Sequence, residues 1–396
     1  MTTIPMLISG QRAKLIRLKV RFFIMQVALN HFRSPIRAIR EMKKLLALRR
    51  NVNGSVKMPK YINSGNQFFW NADYCGYPSE NLKALLHKEF KRSQQAEIER
   101  PDSALGLQTL IWGITNRCPL SCQHCYEWDN IAHTDKLDIE SLKKMLNILR
   151  ANGLRHIQFS GGEPLSRFDD LLTLTKDASP DMDCWILTSG FGLSADKALA
   201  LKEAGLKGAQ ISLDHWNAGL HNNFRNNNKS YEMAISAVKN CRDAGIMVSL
   251  SLCATREFVS ENNLMKYADL AKVLGANFIR ILEPRAVGKF SNVNVALSTD
   301  QVDLLSDFVN QLNAGKRYKN YPIVTFFGYH QRKMGCFGAG ERYVYIDPNG
   351  DVHACPFCRG AMGNLLDEPF ADIIRRVKMV GCHLFENHEN DAHNRF

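Results

Sequence analysis

From residue 107 onward, short runs of β-branched and aromatic residues alternate with longer stretches whose apolar positions recur every three to four residues, about six times over. Strands are predicted near 107–115, 155–160, 183–188, 208–214, 246–252 and 277–283, with helices near 138–151, 168–177, 195–204, 230–243 and 261–273 between them. Gly153, Gly205, Gly245 and Gly275 stand where helices should stop, since a helix commonly ends on a left-handed residue that glycine adopts without steric cost. Such repetition predicts an α/β fold, a parallel sheet with helices on its outside. In barrels of this kind chemistry collects at the C-terminal ends of the strands.

Ahead of this region the pattern changes. Residues 12–50 read as two helices parted at Ser34-Pro35, with Ser34 as N-cap and Pro35 in the first turn. In the second helix Ile36, Ile39, Met42 and Leu46 share a face, while Arg37, Arg40, Lys43 and Lys44 lie largely opposite. A basic amphipathic helix of this kind suits peripheral contact with an anionic membrane or an acidic partner, or simple packing on the body with its cations solvated. Residues 51–106 form a leader module: a short aromatic strand at 67–70, a helix near 79–92 capped by Ser79, and a polar linker at 93–103.

Charge sharpens this division. The 396-residue chain carries a net charge of +12, yet residues 1–60 alone hold 14 Lys/Arg against the single acid Glu41. The remaining residues hold 51 − 14 = 37 basic and 39 − 1 = 38 acidic side chains, so the basicity belongs to the N-terminal segment. Without a recognisable binding motif or interleaved aromatics there, nucleic acid is not an expected partner. The apolar patch at 4–8 is too short for a secretory signal, and the run at 22–29 falls far below the roughly 20 residues that span a bilayer. Eleven cysteines without such a signal point to a cytoplasmic, reducing setting and to metal chemistry.

Just after the first predicted strand stand Cys118, Cys122 and Cys125, a C-x3-C-x2-C spacing. Three thiolates on a cubic iron-sulfur cluster leave one iron open to a further ligand; a zinc site is the alternative reading of the spacing. The other strand ends carry Ser160-Gly161-Gly162-Glu163-Pro164, Thr188-Ser189-Gly190, Ser212-Leu213-Asp214 followed by His221-Asn222-Asn223-Phe224-Arg225, and Glu283-Pro284-Arg285-Ala286-Val287-Gly288. In this order they resemble the radical S-adenosylmethionine (radical SAM) superfamily, with its C-x3-C-x-aromatic-C loop, GGEP, T-N-G and S-x-D motifs. His124 fills the aromatic slot and Ser189 replaces the usual asparagine.

The resemblance implies a partial (β/α)6 TIM-like barrel over 107–298, a bridging helix and strand over 299–334 and a small α+β extension over 335–396. In that extension Cys336, a hairpin turning at Asp347-Pro348-Asn349-Gly350, and then Cys355, Cys358 and Cys382 resemble SPASM and twitch domains. Those four cysteines suffice for one auxiliary 4Fe-4S cluster; a zinc knuckle is the alternative. Cys75, Cys184, Cys241 and Cys253 read as small core residues, and His383, His388 and His393 as solvated.

The family's chemistry then implies that Cys118, Cys122 and Cys125 hold a catalytic 4Fe-4S cluster. His124, Gly161, Gly162, Glu163, Pro164, Ser189, Ser212, Asp214 and Arg225 would cradle S-adenosyl-L-methionine. One-electron cleavage yields a 5′-deoxyadenosyl radical that takes hydrogen from a substrate. Flavodoxin or ferredoxin is the implied electron donor. A peptide or protein is the leading substrate expectation, a small or lipid-linked molecule the second, and a metal-binding scaffold the non-enzymatic one.

Overall fold

The computed structural model describes residues 3–53, 60–95, 109–131, 133–334, 336, 338, 340 and 343–381. Its centre is the expected parallel sheet: β4 (Thr109–Gly113), β5 (His156–Ser160), β6 (Asp183–Thr188), β7 (Gly208–Ser212), β8 (Met247–Cys253) and β9 (Phe278–Leu282), neighbours in chain order. Helices α4 (Ile139–Ala151), α5 (Phe168–Ala178), α6 (Ala195–Glu203), α8 (Ser230–Asp243) and α9 (Glu261–Val273) connect them. Strand β8 is buried along its whole length, as a strand covered on both faces must be. Gly153, Gly205, Gly245 and Gly275 all adopt positive φ where helices end. Within the barrel one α-helix was not anticipated, the short α7 (Ala218–Arg225) after β7, capped by the Asn217 side chain.

The sheet extends past these six strands on both sides. Strand β10 (Ile323–Phe326), the expected bridge strand, pairs parallel with β9, so it continues the barrel wall. At the opposite edge β11 (Tyr343–Ile346) pairs parallel with β4, Tyr343 against Thr109 through Ile346 against Trp112, and antiparallel with β12 (Val352–His353). The C-terminal hairpin is therefore built onto the barrel's first strand. Its turn closes through Asp347, whose Oδ1 accepts from Asn349 N at 2.9 Å and Asp351 N at 3.0 Å, with Gly350 at φ +91°. Helix α10 (Thr299–Ala314) is fixed by a reciprocal capping box between Ser298 and Gln301. Helices α11 (Phe327–Met334) and α12 (Phe370–Val380) complete the C-terminal part. Cys382 and the three tail histidines lie outside the described residues.

The N-terminal part has two jobs that the chain pattern concealed. Strands β1 (Met6–Ile8), β2 (Tyr61–Ser64) and β3 (Gln67–Phe69) form a small antiparallel sheet. Ile62, Phe69 and Ala72 pack against Trp185, Met247, Phe278 and Ile323 near the N-terminal ends of the barrel strands. They floor the barrel. Asp73 rises into that floor, where its Oδ1 accepts from Gln158 Nε2 at 2.8 Å and from Arg280, whose Nη1 also donates to Gln210 Oε1 at 2.6 Å.

Helices α1 (Gly10–Phe32), α2 (Pro35–Asn53) and α3 (Glu80–Gln95) pack together and supply a side wall to the interior. Ser34 and Ser79 cap α2 and α3, though Ser34 only loosely, at 3.5 Å. Within α2 the expected single apolar face divides: Met42 and Ala38 turn inward, while Ile36 and Ile39 face outward. Among the described residues no helix is long and apolar enough to cross a membrane.

Candidate active site

Cys118, Cys122 and Cys125 sit in the loop leaving β4, and several other strand ends hold that loop. The first hold comes from β5. Gly162 N donates to Thr115 O at 2.7 Å and Glu163 N to Arg117 O at 2.8 Å. This approach explains both glycines: a Cβ on Gly161 would lie 2.5 Å from Thr115 O, and one on Gly162 2.4 Å from Arg117 O. Gly161 also requires φ +136°. The motif therefore acts on the root of the cysteine loop.

A second hold comes from α7, where Gln123 N donates to Phe224 O at 3.0 Å and His124 stacks on Phe224 with centroids 4.6 Å apart and rings 9° from parallel. A third comes from the segment after β9. Lys289 N donates to Cys125 O at 3.0 Å, and Gly288, at φ +56°, lies so close that a Cβ would meet that carbonyl at 2.2 Å. Lys289 Nζ reaches the Ser121 carbonyl at 3.1 Å and lies over the Trp128 ring. Asp135 closes the far end of the loop, accepting from Asn116 N at 2.7 Å and Arg117 Nε at 2.8 Å.

The polar groups of the strand ends pair with each other beneath this loop. Glu163 is buried, and its carboxylate accepts from Thr188 Oγ1 at 2.6 Å, Leu165 N at 3.2 Å, Ser189 N at 2.8 Å and the Ser189 hydroxyl. Burial pushes its carboxyl up, and these hydrogen bonds pull the other way. Pro164 begins the short 3-10 turn that Glu163 caps. Ser189, where asparagine is usual, thus serves Glu163 through both backbone and side chain.

Asp214 is the second hub: Oδ2 accepts from Arg225 Nε at 2.6 Å and Oδ1 from Cys253 N at 3.0 Å. Burial favours its neutral form, yet the Arg225 charge wins and its carboxyl stays below the ordinary range. Arg225 is itself buried and also places Nη1 3.6 Å from Cys122 Sγ, so one guanidinium bridges a carboxylate and a candidate ligand sulfur. His221 Nδ1 accepts from Asp214 N at 3.0 Å, and burial lowers its pKa to about 4, keeping it neutral. His124 is likewise lowered to about 4 by burial.

Cys118, Cys122, Cys125, Gly161, Gly162, Glu163, Ser189, Ser212, Asp214 and Arg225 all line one cavity of about 740 Å³. Burial pushes the Cys118 and Cys125 thiols up to about 12, so a bound metal is what would hold them as thiolates. Among the described residues no three Cys, His, Asp or Glu side chains converge on a single-ion site. A cubic cluster asks for something else, thiolates spread over separate iron corners, and a loop presenting three cysteines to one cavity fits that demand.

The same cavity reaches Cys336 and Cys355 of the C-terminal part. Cys355 Sγ stands 3.4 Å from Cys358 Sγ across a tight turn in which Cys358 N donates to Cys355 O at 3.1 Å. The two cysteine loops are also tied directly. Glu127, buried two residues past Cys125, accepts from Arg359 Nη1 at 2.6 Å and from Tyr345 Oη at 2.8 Å. Tyr126 packs edge-on against both Tyr345 and Phe357. Neither Glu127 nor Arg359 stood out in the sequence; the only signal was their place next to the cysteines.

Comparison with known proteins agrees with this geometry. The radical SAM superfamily model matches residues 112–270, and the SPASM iron-sulfur cluster-binding domain matches residues 336–394. This chain belongs to the radical SAM superfamily. It is a radical SAM enzyme with a C-terminal SPASM domain, a family that uses a 4Fe-4S cluster with S-adenosylmethionine and auxiliary iron-sulfur centres.

Among its relatives, the AdoMet-dependent heme synthase of Oleidesulfovibrio alaskensis is 24% identical, covering 69% of this chain and 76% of that one. The mycofactocin maturase MftC of Mycolicibacterium smegmatis is 28% identical, covering 65% and 67%. In fold, the radical SAM enzyme resembles Streptococcus suis SuiB bound to its precursor peptide SuiA, with TM-score 0.55, 14% identity and coverage of 86% and 78%.

Proposed function

We propose that this enzyme modifies a peptide, inserting one side chain into the cavity between its two cysteine loops. The observation that carries the reading is that cavity: Cys118, Cys122 and Cys125 lie in its wall together with Cys336 and Cys355. Its volume of about 740 Å³ falls within the roughly 300–1,000 Å³ of small-molecule sites, room for a nucleoside-type cofactor and a side-chain-sized group. The similarity to a maturase and the shared fold with a peptide-bound enzyme support the same reading.

On this reading Cys118, Cys122 and Cys125 hold the catalytic cluster, while Cys336, Cys355 and Cys358, with Cys382 as fourth ligand, hold an auxiliary one. With S-adenosylmethionine bound, the catalytic cluster supplies one-electron cleavage of the cofactor to a carbon radical that removes a substrate hydrogen atom. The chain's own residues position the cofactor. Gly161, Gly162 and Pro164 shape the cradle's backbone, Glu163, Ser189 and Ser212 offer polar contacts, and His124 stacks beside it. Arg225, with Nε on Asp214 and Nη1 near Cys122, lines the cavity and would pair with the cofactor carboxylate. A flavodoxin- or ferredoxin-type protein delivers the electron.

A second reading, a small or lipid-linked substrate, draws on the side wall, where Val20, Ile24, Met42, Leu82, Leu85 and Leu86 face the cavity. Anaerobic incubation of iron-loaded protein with deuterated peptides or deuterated lipid extracts separates the two. Deuterium recovered in 5′-deoxyadenosine from peptides alone is the expected result; transfer from lipid alone overturns the peptide reading.

A further inference from the structure

Helix α1 is apolar on two opposite faces. Ala13, Ile16, Val20 and Val27 pack inward against the body. Around the helix from them, Leu15, Leu18, Phe22 and Leu29 recur at three, four and seven residues, the spacing of one continuous stripe, and all four are exposed, Phe22 at 72%. With apolar side chains on both sides the helix has almost no net amphipathicity, as a helix with two buried faces would. Only one of its faces is covered here.

The flanks of the outer stripe are cationic. By helical rotation Arg12 and Lys19 border it on one side and Lys14 and Arg21 on the other, all exposed. The adjoining α2 adds exposed apolar side chains of its own, Ile36 at 82% and Ile39 at 48%, among exposed Arg37, Arg40, Lys43 and Lys44. The one acid of the first 60 residues, Glu41, is buried with Lys44 Nζ 3.0 Å from its carboxylate. The helical pair therefore contributes no exposed carboxylate to this face.

We infer that the outer face of α1 and α2 docks on an anionic phospholipid surface, the apolar stripe entering the acyl boundary while the flanking cations meet the headgroups. An apolar band bordered by lysines and arginines is the pattern of an interfacial helix, and long cationic side chains can lie along such a band with their charges in the headgroup layer. Charge selects this occupant over an ordinary apolar partner: the cations lie beside the apolar side chains, where a neutral protein groove would leave them unpaired. The apolar stripe lies on the opposite side of α1 from Val20 and Ile24, which line the active-site cavity, and of its flanking cations Arg21 also reaches the cavity. Docking is independent of which substrate the cavity takes.

The test is co-sedimentation of the full-length, iron-loaded protein with vesicles of phosphatidylcholine alone or mixed with phosphatidylglycerol. Binding to the anionic vesicles, at least about tenfold stronger than to neutral ones and weakened by salt, is expected. The double variant Leu18→Asp/Phe22→Asp should lower it about tenfold or more, and Arg12→Glu/Lys19→Glu should also weaken it. All four positions are exposed, so melting temperature and iron content should stay at wild-type values, separating lost docking from lost folding. Equal affinity for both vesicle types overturns the proposal. So does undiminished binding of the Asp double variant. A wild-type dimer in light scattering that the Asp variant converts to monomer would instead assign the stripe to a second copy of the chain.

Discussion

Arg359 donates to Glu127 across 232 residues of chain, joining the residue after Cys358 to the second residue after Cys125. The Glu127 side chain is 3% exposed and that of Arg359 27%, so this contact is closer to a buried ion pair than to a surface one. It makes the two cysteine loops one mechanical unit. Arg359→Ala should destabilise the protein by about 3 kcal/mol, the low end for a broken buried pair because Arg359 keeps some water. Glu127→Gln retains an acceptor for Tyr345 and should lose less. Hydrogen exchange is the direct check: amides of β11 and β12 should exchange faster in both variants, and unchanged protection would show that the pair does not secure the hairpin.

Arg225→Ala should be among the most damaging single changes in the barrel. It leaves the buried Asp214 carboxylate without its cation, a loss of about 3–5 kcal/mol, and removes the guanidinium near Cys122. Arg225→Lys restores one charge but not the fork that reaches oxygen and sulfur together. Melting temperature and iron per chain should fall in the order wild type, Lys, Ala.

Gly162→Ala drives a methyl group into the Arg117 carbonyl. A cost of about 2 kcal/mol is expected from the overpacking, together with displacement of the segment entering Cys118. The low-temperature electron paramagnetic resonance signal of the reduced catalytic cluster should weaken while the auxiliary signal persists. Loss of both signals in equal measure would point to general unfolding.

Cys355→Ala addresses the other centre. Iron per chain should drop toward one cluster's worth less, since the auxiliary site would lose one of its four thiolates with no cofactor to take the vacant corner, and cleavage of S-adenosylmethionine without substrate should continue. Unchanged iron would contradict an auxiliary cluster at this turn.

The buried, neutral His221 predicts an acid limb in stability. Its folded pKa of about 4 lies below the ordinary imidazole value of 6.5, so the unfolded chain takes up the proton first and stability falls as pH drops from 6.5 toward 4. Between pH 6.5 and 5 this contributes about 2 kcal/mol of loss. His221→Asn, which keeps an acceptor for Asp214 N, should flatten that part of the urea-denaturation profile; an unchanged slope would mean that the histidine titrates normally.

Much of the barrel was legible because its signals are local. Apolar periodicity marked strands and helices, and glycines marked where four helices stop. The cysteine spacing, GGEP, Ser212 and Asp214 marked the strand ends that now share a cavity. Individual roles were less legible. Gly161 and Gly162 read as a cofactor cradle, yet the clearest constraint on them is the backbone of residues 115–117. Glu163 read as part of the same cradle, and the hydrogen bonds it accepts from Thr188, Ser189 and Leu165 had no signal in the sequence. Helix α7 was missed because its eight residues, rich in asparagine, carry little propensity and depend on the Asn217 cap and on packing.

By itself the sequence determined the elements, their order and the reactive residue types at the strand ends, because spacing within a few residues dictates which side chains share a helix face or a loop. Only the tertiary structure decided that β11 pairs with β4, that the leader module floors the barrel, that Arg359 holds Glu127, and that α1 keeps a second apolar face outward. Those are contacts between segments tens to hundreds of residues apart. They are selected by burial and by the pairing of buried charges across the whole fold, quantities that no local window of sequence contains.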